Sequence, residues 1–110
     1  MAELAHALHP LPRERGEKAL VPFLTAGYPD ERSSLELLAA CARRGCEVVE
    51  IGVPFSDPVA DGPVIQQASQ AALDRGMTLR RALDLVAELR DEPVHPVMMT
   101  YLHPLVRLGL

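Results

Sequence analysis

Three carboxylates between residues 50 and 61 are the side chains of this sequence best suited to acid–base chemistry. Glu50 stands within an apolar run, whereas Asp57 and Asp61 follow in a loop rich in proline. An ionised carboxylate among strand residues is costly to desolvate, so its position needs an explanation. Side chains alternate along a strand, so Glu50 points away from the helix-packed face that Val49 and Ile51 share. We therefore expect Glu50 near the carboxyl end of a strand, where parallel α/β folds bind ligands and transfer protons.

The residues alone leave purely structural interpretations open. Glu50 also fits a buried acid that backbone amides satisfy, and Asp57 and Asp61 also fit turn or capping residues in a loop of this composition. Phe23 also fits an ordinary core residue. The four histidines share no motif spacing and are interpreted as structural or solvated: His6, His9, His95 and His103.

The composition fits one globular domain, or part of one, over residues 1–110, of which 48% are hydrophobic. A formal net charge of −4 argues against binding to nucleic acids or anionic membranes. No apolar run approaches the roughly 20 residues of a membrane span, and no signal pattern opens the chain, so we predict a cytoplasmic protein. Cys41 and Cys46 are interpreted as small core residues in a reducing compartment. Metal binding is not predicted, because no second Cys/His pair lies at ligand spacing.

Apolar runs and turn residues alternate in the order strand, helix, strand, helix, strand. Strands are predicted at residues 19–25, 46–52 and 96–100, although Pro22 is unusual inside a central strand. Helices are predicted from a capping box of Ser33 and Glu36 to Gly45, at residues 64–74, and after a Thr78 cap. A short leading helix is expected at residues 2–8, and a last element from residue 105. This order predicts an α/β fold with parallel strands. The outer strands of such a sheet have unpaired edges, so we expect these residues to be the first part of a longer protein.

Three segments resemble the tryptophan synthase alpha chain family. Residues 50–66, Glu-Ile-Gly-Val-Pro-Phe-Ser-Asp-Pro-Val-Ala-Asp-Gly-Pro-Val-Ile-Gln, are similar to that family's signature nearly position for position. Residues 21–29 and 98–101 resemble its first strand and turn and its third strand. The resemblance covers residues 19–104. It implies the N-terminal portion of a (β/α)8 TIM barrel, about three βα units, with the barrel incomplete, because a complete one needs about 250 residues.

The resemblance implies a lyase that cleaves indole-3-glycerol phosphate to indole and glyceraldehyde 3-phosphate, a retro-aldol reaction in tryptophan biosynthesis. Glu50 is then the general acid/base that moves a proton to the indole ring carbon and off the glycerol hydroxyl. Asp61 accepts the indole N–H and steadies positive charge on the ring. Phe23 and Tyr101 line the indole pocket.

The resemblance also implies a partner. The segment with Pro54, Phe55, Ser56 and Asp57 is similar to the one that docks on the beta subunit of an alpha2beta2 tetramer. That subunit uses pyridoxal phosphate, and no cofactor is expected in this chain. The 110 residues alone lack the family's later phosphate-binding loops and are expected to be inactive. The alternative function is a non-catalytic half-barrel that binds a partner or associates with itself.

Overall fold

The computed structural model describes residues 18–109, so the leading helix expected at residues 2–8 lies outside the described range. Seven elements follow one another: β1 (Phe23–Thr25), α1 (Glu31–Arg43), β2 (Val48–Gly52), α2 (Pro63–Asp74), α3 (Leu79–Ala87), β3 (His95–Met99) and α4 (Leu102–Leu108). Among these residues, no helix is long and apolar enough to cross a membrane.

β2 is the middle strand of a parallel three-stranded sheet with the order β1-β2-β3. Glu50 pairs with Phe23 of β1 on one side and with Val97 of β3 on the other. Two residues further along, Gly52 pairs with Thr25. The predicted parallel α/β arrangement is confirmed, and the carboxyl ends of the three strands meet at one end of the sheet.

β1 is shorter than predicted, because it covers residues 23–25 instead of 19–25. Pro22 has no N–H to donate to a ladder, and a strand interior rarely includes such a residue. Its carbonyl nevertheless accepts a hydrogen bond from the backbone N–H of Glu50 at 2.8 Å. The chain therefore already lies beside β2 at Pro22, before strand pairing begins. β2 starts two residues later than predicted, and β3 covers 95–99 instead of 96–100.

The core lies between one face of the sheet and the helices. Val49 and Ile51 are fully buried at 0% exposure. They share one cluster with Leu38 of α1, Ala72 of α2 and Leu85 of α3. Burying a side chain of the size of Val or Leu stabilises the fold by about 1.5–3 kcal/mol. The prediction that this face of β2 packs against helices is confirmed, and the intervening residue of the strand faces the other way.

The first helix begins earlier than the predicted capping box. Asp30 is the N-cap of α1, and its carboxylate accepts hydrogen bonds from the Ser33 backbone N–H at 2.7 Å and the Ser33 hydroxyl at 3.1 Å. The capping box of Ser33 and Glu36 was therefore wrong, because Ser33 is already in the first turn and Glu36 accepts from Arg32. The predicted Thr78 cap of α3 is confirmed, since Thr78 Oγ1 accepts from the Arg81 backbone N–H at 3.1 Å.

The starts of α2 and α4 position the site residues. α2 starts at Pro63, one residue before the predicted start, and proline suits the first helical position because its missing N–H has no helical partner there. α4 starts at Leu102, so the element expected from residue 105 begins three residues earlier. Tyr101 is its N-cap. The Tyr101 side chain is thereby held at the carboxyl end of β3.

Candidate functional site

A cavity of about 200 Å³ opens at the carboxyl ends of the strands. Three predicted site residues, Phe23, Asp61 and Tyr101, share its wall although they come from β1, the loop after β2 and the start of α4. The other lining residues are Thr25, Gly52, Val53, Ala60, Ile65, Ser69, Met99 and Thr100. The cavity therefore combines an aromatic and aliphatic wall with one carboxylate, which suits a flat apolar ligand that carries a hydrogen-bond donor.

The Asp61 carboxylate is oriented by Tyr101. The Tyr101 hydroxyl donates to Asp61 Oδ2 at 3.2 Å and accepts from the backbone N–H of Ala60 at 3.0 Å. Both roles of the hydroxyl are thus used, and its position is set by the loop backbone. A carboxylate held in this way keeps its second oxygen, Oδ1, for a donor or a positive charge in the cavity.

A side chain of α2 holds the loop that carries Asp61. Gln66 Nε2 donates to the Asp61 carbonyl at 2.7 Å and to the Pro58 carbonyl at 3.3 Å. The Asp61 backbone N–H donates to the same Pro58 carbonyl at 3.2 Å. Sequence reasoning assigned no role to Gln66. The only sequence feature that could have pointed to Gln66 is an amide side chain one turn into a helix that follows a proline-rich loop.

Gly52 makes room for the Phe23 ring. A Cβ atom built on Gly52 would lie 2.5 Å from Phe23 Cζ and 3.0 Å from Cε2. A real Cβ contact is essentially never as short as 2.5 Å, so the ring occupies the space that a side chain on Gly52 would fill. Sequence reasoning also missed this glycine, although a glycine at the end of a strand often marks a close approach.

Glu50 is not among the lining residues, but its direct partner in β1, Phe23, is. Glu50 and Gly52 are two residues apart on β2 and therefore point to the same face, about 6.6 Å apart along the strand. The Glu50 side chain is half-buried. The structure therefore groups Phe23, Asp61 and Tyr101 around the cavity and places Glu50 one row below it.

The predicted partner-facing segment follows directly after β2. Pro54, Phe55 and Ser56 line an open groove of about 400 Å³ against the start of α3 and against α4, whereas Asp57 does not. Pro54 is buried in this chain, whereas Ser56 and Asp57 are exposed. The Phe55 ring centroid lies 5.1 Å from that of Tyr101. Through this contact the groove adjoins the cavity.

The described residues contain no group of three or more His, Cys, Asp or Glu side chains that could hold a metal ion. The cavity contributes one carboxylate from Asp61, besides the hydroxyls of Thr25, Ser69, Thr100 and Tyr101. Its donors and acceptors suit an organic ligand held by hydrogen bonds and apolar contact.

The model of the tryptophan synthase alpha chain family matches residues 11–110. The chain belongs to this family. Two relatives within it are the tryptophan synthase alpha chains of Laribacter hongkongensis and Dechloromonas aromatica. Each is 53% identical to this chain, over 98 and 97 residues respectively. The match covers 86% of this chain and 36% of either relative, so the chain spans little more than a third of their length.

Solved structures of tryptophan synthase share the fold of this alpha-chain family member. The crystal structure of tryptophan synthase from M. tuberculosis in its open form superposes with a TM-score of 0.89 at 37% identity. That match covers 96% of this chain and 42% of the solved one. The tryptophan synthase complex from Pyrococcus furiosus gives a TM-score of 0.76 at 43% identity, over 83% of this chain and 38% of that chain.

Proposed function

We propose that this sequence, in a chain of its relatives' full length, acts as the alpha subunit of tryptophan synthase. The reaction is the retro-aldol cleavage of indole-3-glycerol phosphate to indole and glyceraldehyde 3-phosphate. The observation that carries the proposal is the Asp61 carboxylate, oriented by the Tyr101 hydroxyl on the wall of a largely apolar cavity. Membership of the family supports the same reaction.

The proposed architecture is the first part of a (β/α)8 barrel, in which β1 to β3 are the first barrel strands. In such a barrel the side chains that alternate away from the helices fill the interior, and the carboxyl ends of the strands carry the site. Both expectations agree with the position of the cavity and with the face on which Glu50 lies. The phosphate-binding loops of such a barrel follow its later strands.

In this proposal the two carboxylates have different roles. Asp61 accepts the indole N–H through a carboxylate oxygen and stabilises the positive charge that develops on the ring when its carbon is protonated. Glu50 supplies the proton to the ring carbon and removes the proton from the glycerol hydroxyl as the carbon–carbon bond breaks. Phe23 contributes an apolar surface for the indole ring. General acid–base catalysis of this kind typically contributes about 10²–10⁴ in rate.

The proposed partner is the beta subunit of tryptophan synthase in an alpha2beta2 assembly. The exposed residues Ser56 and Asp57 are available for contact on the outer side of the loop whose inner side adjoins the cavity through Phe55. Pyridoxal phosphate is assigned to the beta subunit, and this chain needs no cofactor of its own for the proton transfers above. The proposal includes a cytoplasmic location, where the free thiols of Cys41 and Cys46 remain reduced.

A second candidate applies to the 110 residues alone: a non-catalytic half-barrel that binds a partner or associates with itself. Within residues 18–109, β1 and β3 each have one edge without a strand partner. Met99, on the face away from the helices, is 51% exposed. Unpaired edges and exposed apolar side chains favour association. Light scattering after size exclusion tests this candidate, since a sharp monomer peak would contradict self-association.

The assay that tests the main proposal follows indole release from indole-3-glycerol phosphate by the full-length chain, with and without the beta subunit. The 110-residue chain is assayed in parallel and is expected to release none. A full-length chain that binds the beta subunit but releases no indole would leave only the partner-binding role. A full-length chain that does neither would overturn both.

A further inference from the structure

Two cysteines meet at the C-terminal end of α1, on the opposite side of β2 from the candidate site. Cys41 lies in the last turn of the helix, and Cys46 lies two residues before β2. Both are free thiols and both are half-buried. Each packs against the hydrophobic core. Neither thiol has a role in the proposed reaction.

The end of α1 brings these two side chains together. The backbone N–H of Cys46 donates to the Cys41 carbonyl at 3.0 Å, and that of Gly45 donates to the Ala42 carbonyl at 3.2 Å. Gly45 has a φ of 98°, in the left-handed region. These are the two hydrogen bonds and the glycine of a Schellman motif, which frequently brings the side chains at the positions of Cys41 and Cys46 into contact.

The same motif at the end of α2 illustrates this contact within the same fold. The Met77 backbone N–H donates to the Ala72 carbonyl at 3.0 Å, after Gly76 with a φ of 93°. The Cβ atoms of Ala72 and Met77 both lie 3.4 Å from the point where a Cβ on Gly27 would be. The equivalent pair at the end of α2 therefore packs against one point of the core.

The Cys46 side chain lies close enough to Cys41 to influence its thiol. Burial raises the pKa of the Cys41 thiol, and the neighbouring Cys46 raises it further. The helix-end hydrogen bond and this influence both indicate that the two thiols are neighbours in the folded chain.

We propose that Cys41 and Cys46 form a two-thiol binding site for trivalent arsenicals that carry one organic substituent. Such a compound takes two sulfur ligands, the number that this motif supplies. Zinc sites instead need three or four protein ligands, and the described residues offer no such group. A disulfide would require the sulfur atoms to close to about 2.05 Å and would also need an oxidant.

The binding step is a condensation without any change of oxidation state. An arsenoso compound, R–As=O, forms two As–S bonds, one to each cysteine. The two thiol hydrogens leave with the oxygen as one molecule of water, and arsenic remains trivalent. Because both sulfur atoms come from one rigid helix end, the second bond forms within the complex and makes the binding tight.

Phenylarsine oxide is the probe for this site. The chain contains two cysteines, so we expect one equivalent to add, as measured by intact mass, and both thiols to disappear from a thiol titration. Cys41→Ser and Cys46→Ser should each lower the affinity about 100-fold, because only one As–S bond remains. Addition of two equivalents, or equal affinity in the wild-type and single variants, would overturn the proposal.

A measurement on the wild-type chain alone keeps the proposal testable if a serine variant does not fold. The bound arsenical should be removed by 2,3-dimercaptopropanol and should resist an equal concentration of thiol groups supplied as 2-mercaptoethanol. Removal by both reagents at the same concentration would mean binding through a single thiol and would contradict the two-thiol site.

Discussion

The Tyr101 hydroxyl donates a hydrogen bond to Asp61 Oδ2 at 3.2 Å across 40 residues of sequence. This contact joins the carboxyl end of β3 to the loop that follows β2. The same hydroxyl accepts the Ala60 N–H at 3.0 Å, so the position of the carboxylate depends on β3 being paired next to β2. Folding of the sheet and assembly of the candidate site are thereby coupled.

Removing the Tyr101 hydroxyl should weaken catalysis through Asp61. A hydrogen bond to a charged group contributes about 1.5–3 kcal/mol, so we expect Tyr101→Phe in the full-length chain to lower kcat/KM for indole-3-glycerol phosphate at least about 10-fold. Asp61→Asn should lower kcat/KM further. The loss of transition-state stabilisation in the double variant should be smaller than the sum of the losses in the two single variants. Tyr28, the other tyrosine among these 110 residues, supplies the control Tyr28→Phe, which should be near wild type. Strict additivity in this cycle would mean that the contact does not act on the reaction.

Gln66 should act as a positioning residue for the Asp61 loop. Gln66→Ala removes both hydrogen bonds from the side chain to the Pro58 and Asp61 carbonyls. At about 0.5–1.5 kcal/mol each, their loss should lower the kcat/KM of the full-length chain about 10-fold with little change in helix content. The matched control is Gln67→Ala, at an exposed neighbouring position of the same helix. Equal kcat/KM values for the two variants would mean that Gln66 does not position the loop.

Gly52 should be intolerant of a side chain. Gly52→Ala places a Cβ 2.5 Å from Phe23 Cζ, so the ring must move and the free energy of unfolding should fall by about 1–3 kcal/mol. Gly62→Ser is the control, because a Cβ there meets no atom within 4 Å and serine is a good N-cap for α2, and it should change stability by about 0.5 kcal/mol or less. Urea unfolding measures both. Combining Gly52→Ala with Phe23→Leu should recover part of the loss, and the absence of recovery would contradict the proposed clash.

The α1 cap should make stability depend on pH in the acid range. The Ser33 backbone N–H and then the Ser33 hydroxyl hold the pKa of Asp30 below its ordinary value of 3.8. Because the folded chain has the lower pKa, this contribution is present above the unfolded pKa and is lost as pH falls through the folded one. Asp30→Asn should therefore lower Tm at neutral pH, and the difference should shrink below about pH 4. Ser33→Ala should reduce the difference, whereas a difference in Tm that is independent of pH would contradict the assignment.

Sequence patterns predicted correctly the features that depend on neighbouring residues alone, namely strand faces and helix ends. Alternation along β2 separated the buried Val49 and Ile51 from Glu50, and the residue types of Thr78 and Gly45 marked where helices begin and end. The start of α1 was missed because Asp30 and Ser33 are both good caps, and their choice depends on where the preceding turn places the chain.

The contacts that assemble the candidate site depend on tertiary structure and were beyond a sequence pattern. The motif pointed to Asp61, but its link to Tyr101 forms only when β3 pairs with β2. The role of Gln66 depends on the path of the loop back to the first turn of α2. The Phe23 ring fills the space over Gly52, one row above Glu50 on β2, and alternation alone carries no information on that ring.

Glu50→Gln in the full-length chain is the most direct test of the proposed function. The substitution keeps the size and hydrogen-bonding capacity of the side chain and removes its ability to transfer a proton. We predict that indole release from indole-3-glycerol phosphate falls by about 10²-fold or more, with the circular dichroism spectrum and the binding of the beta subunit unchanged. Turnover near that of the wild type in a folded Glu50→Gln enzyme would contradict the central claim.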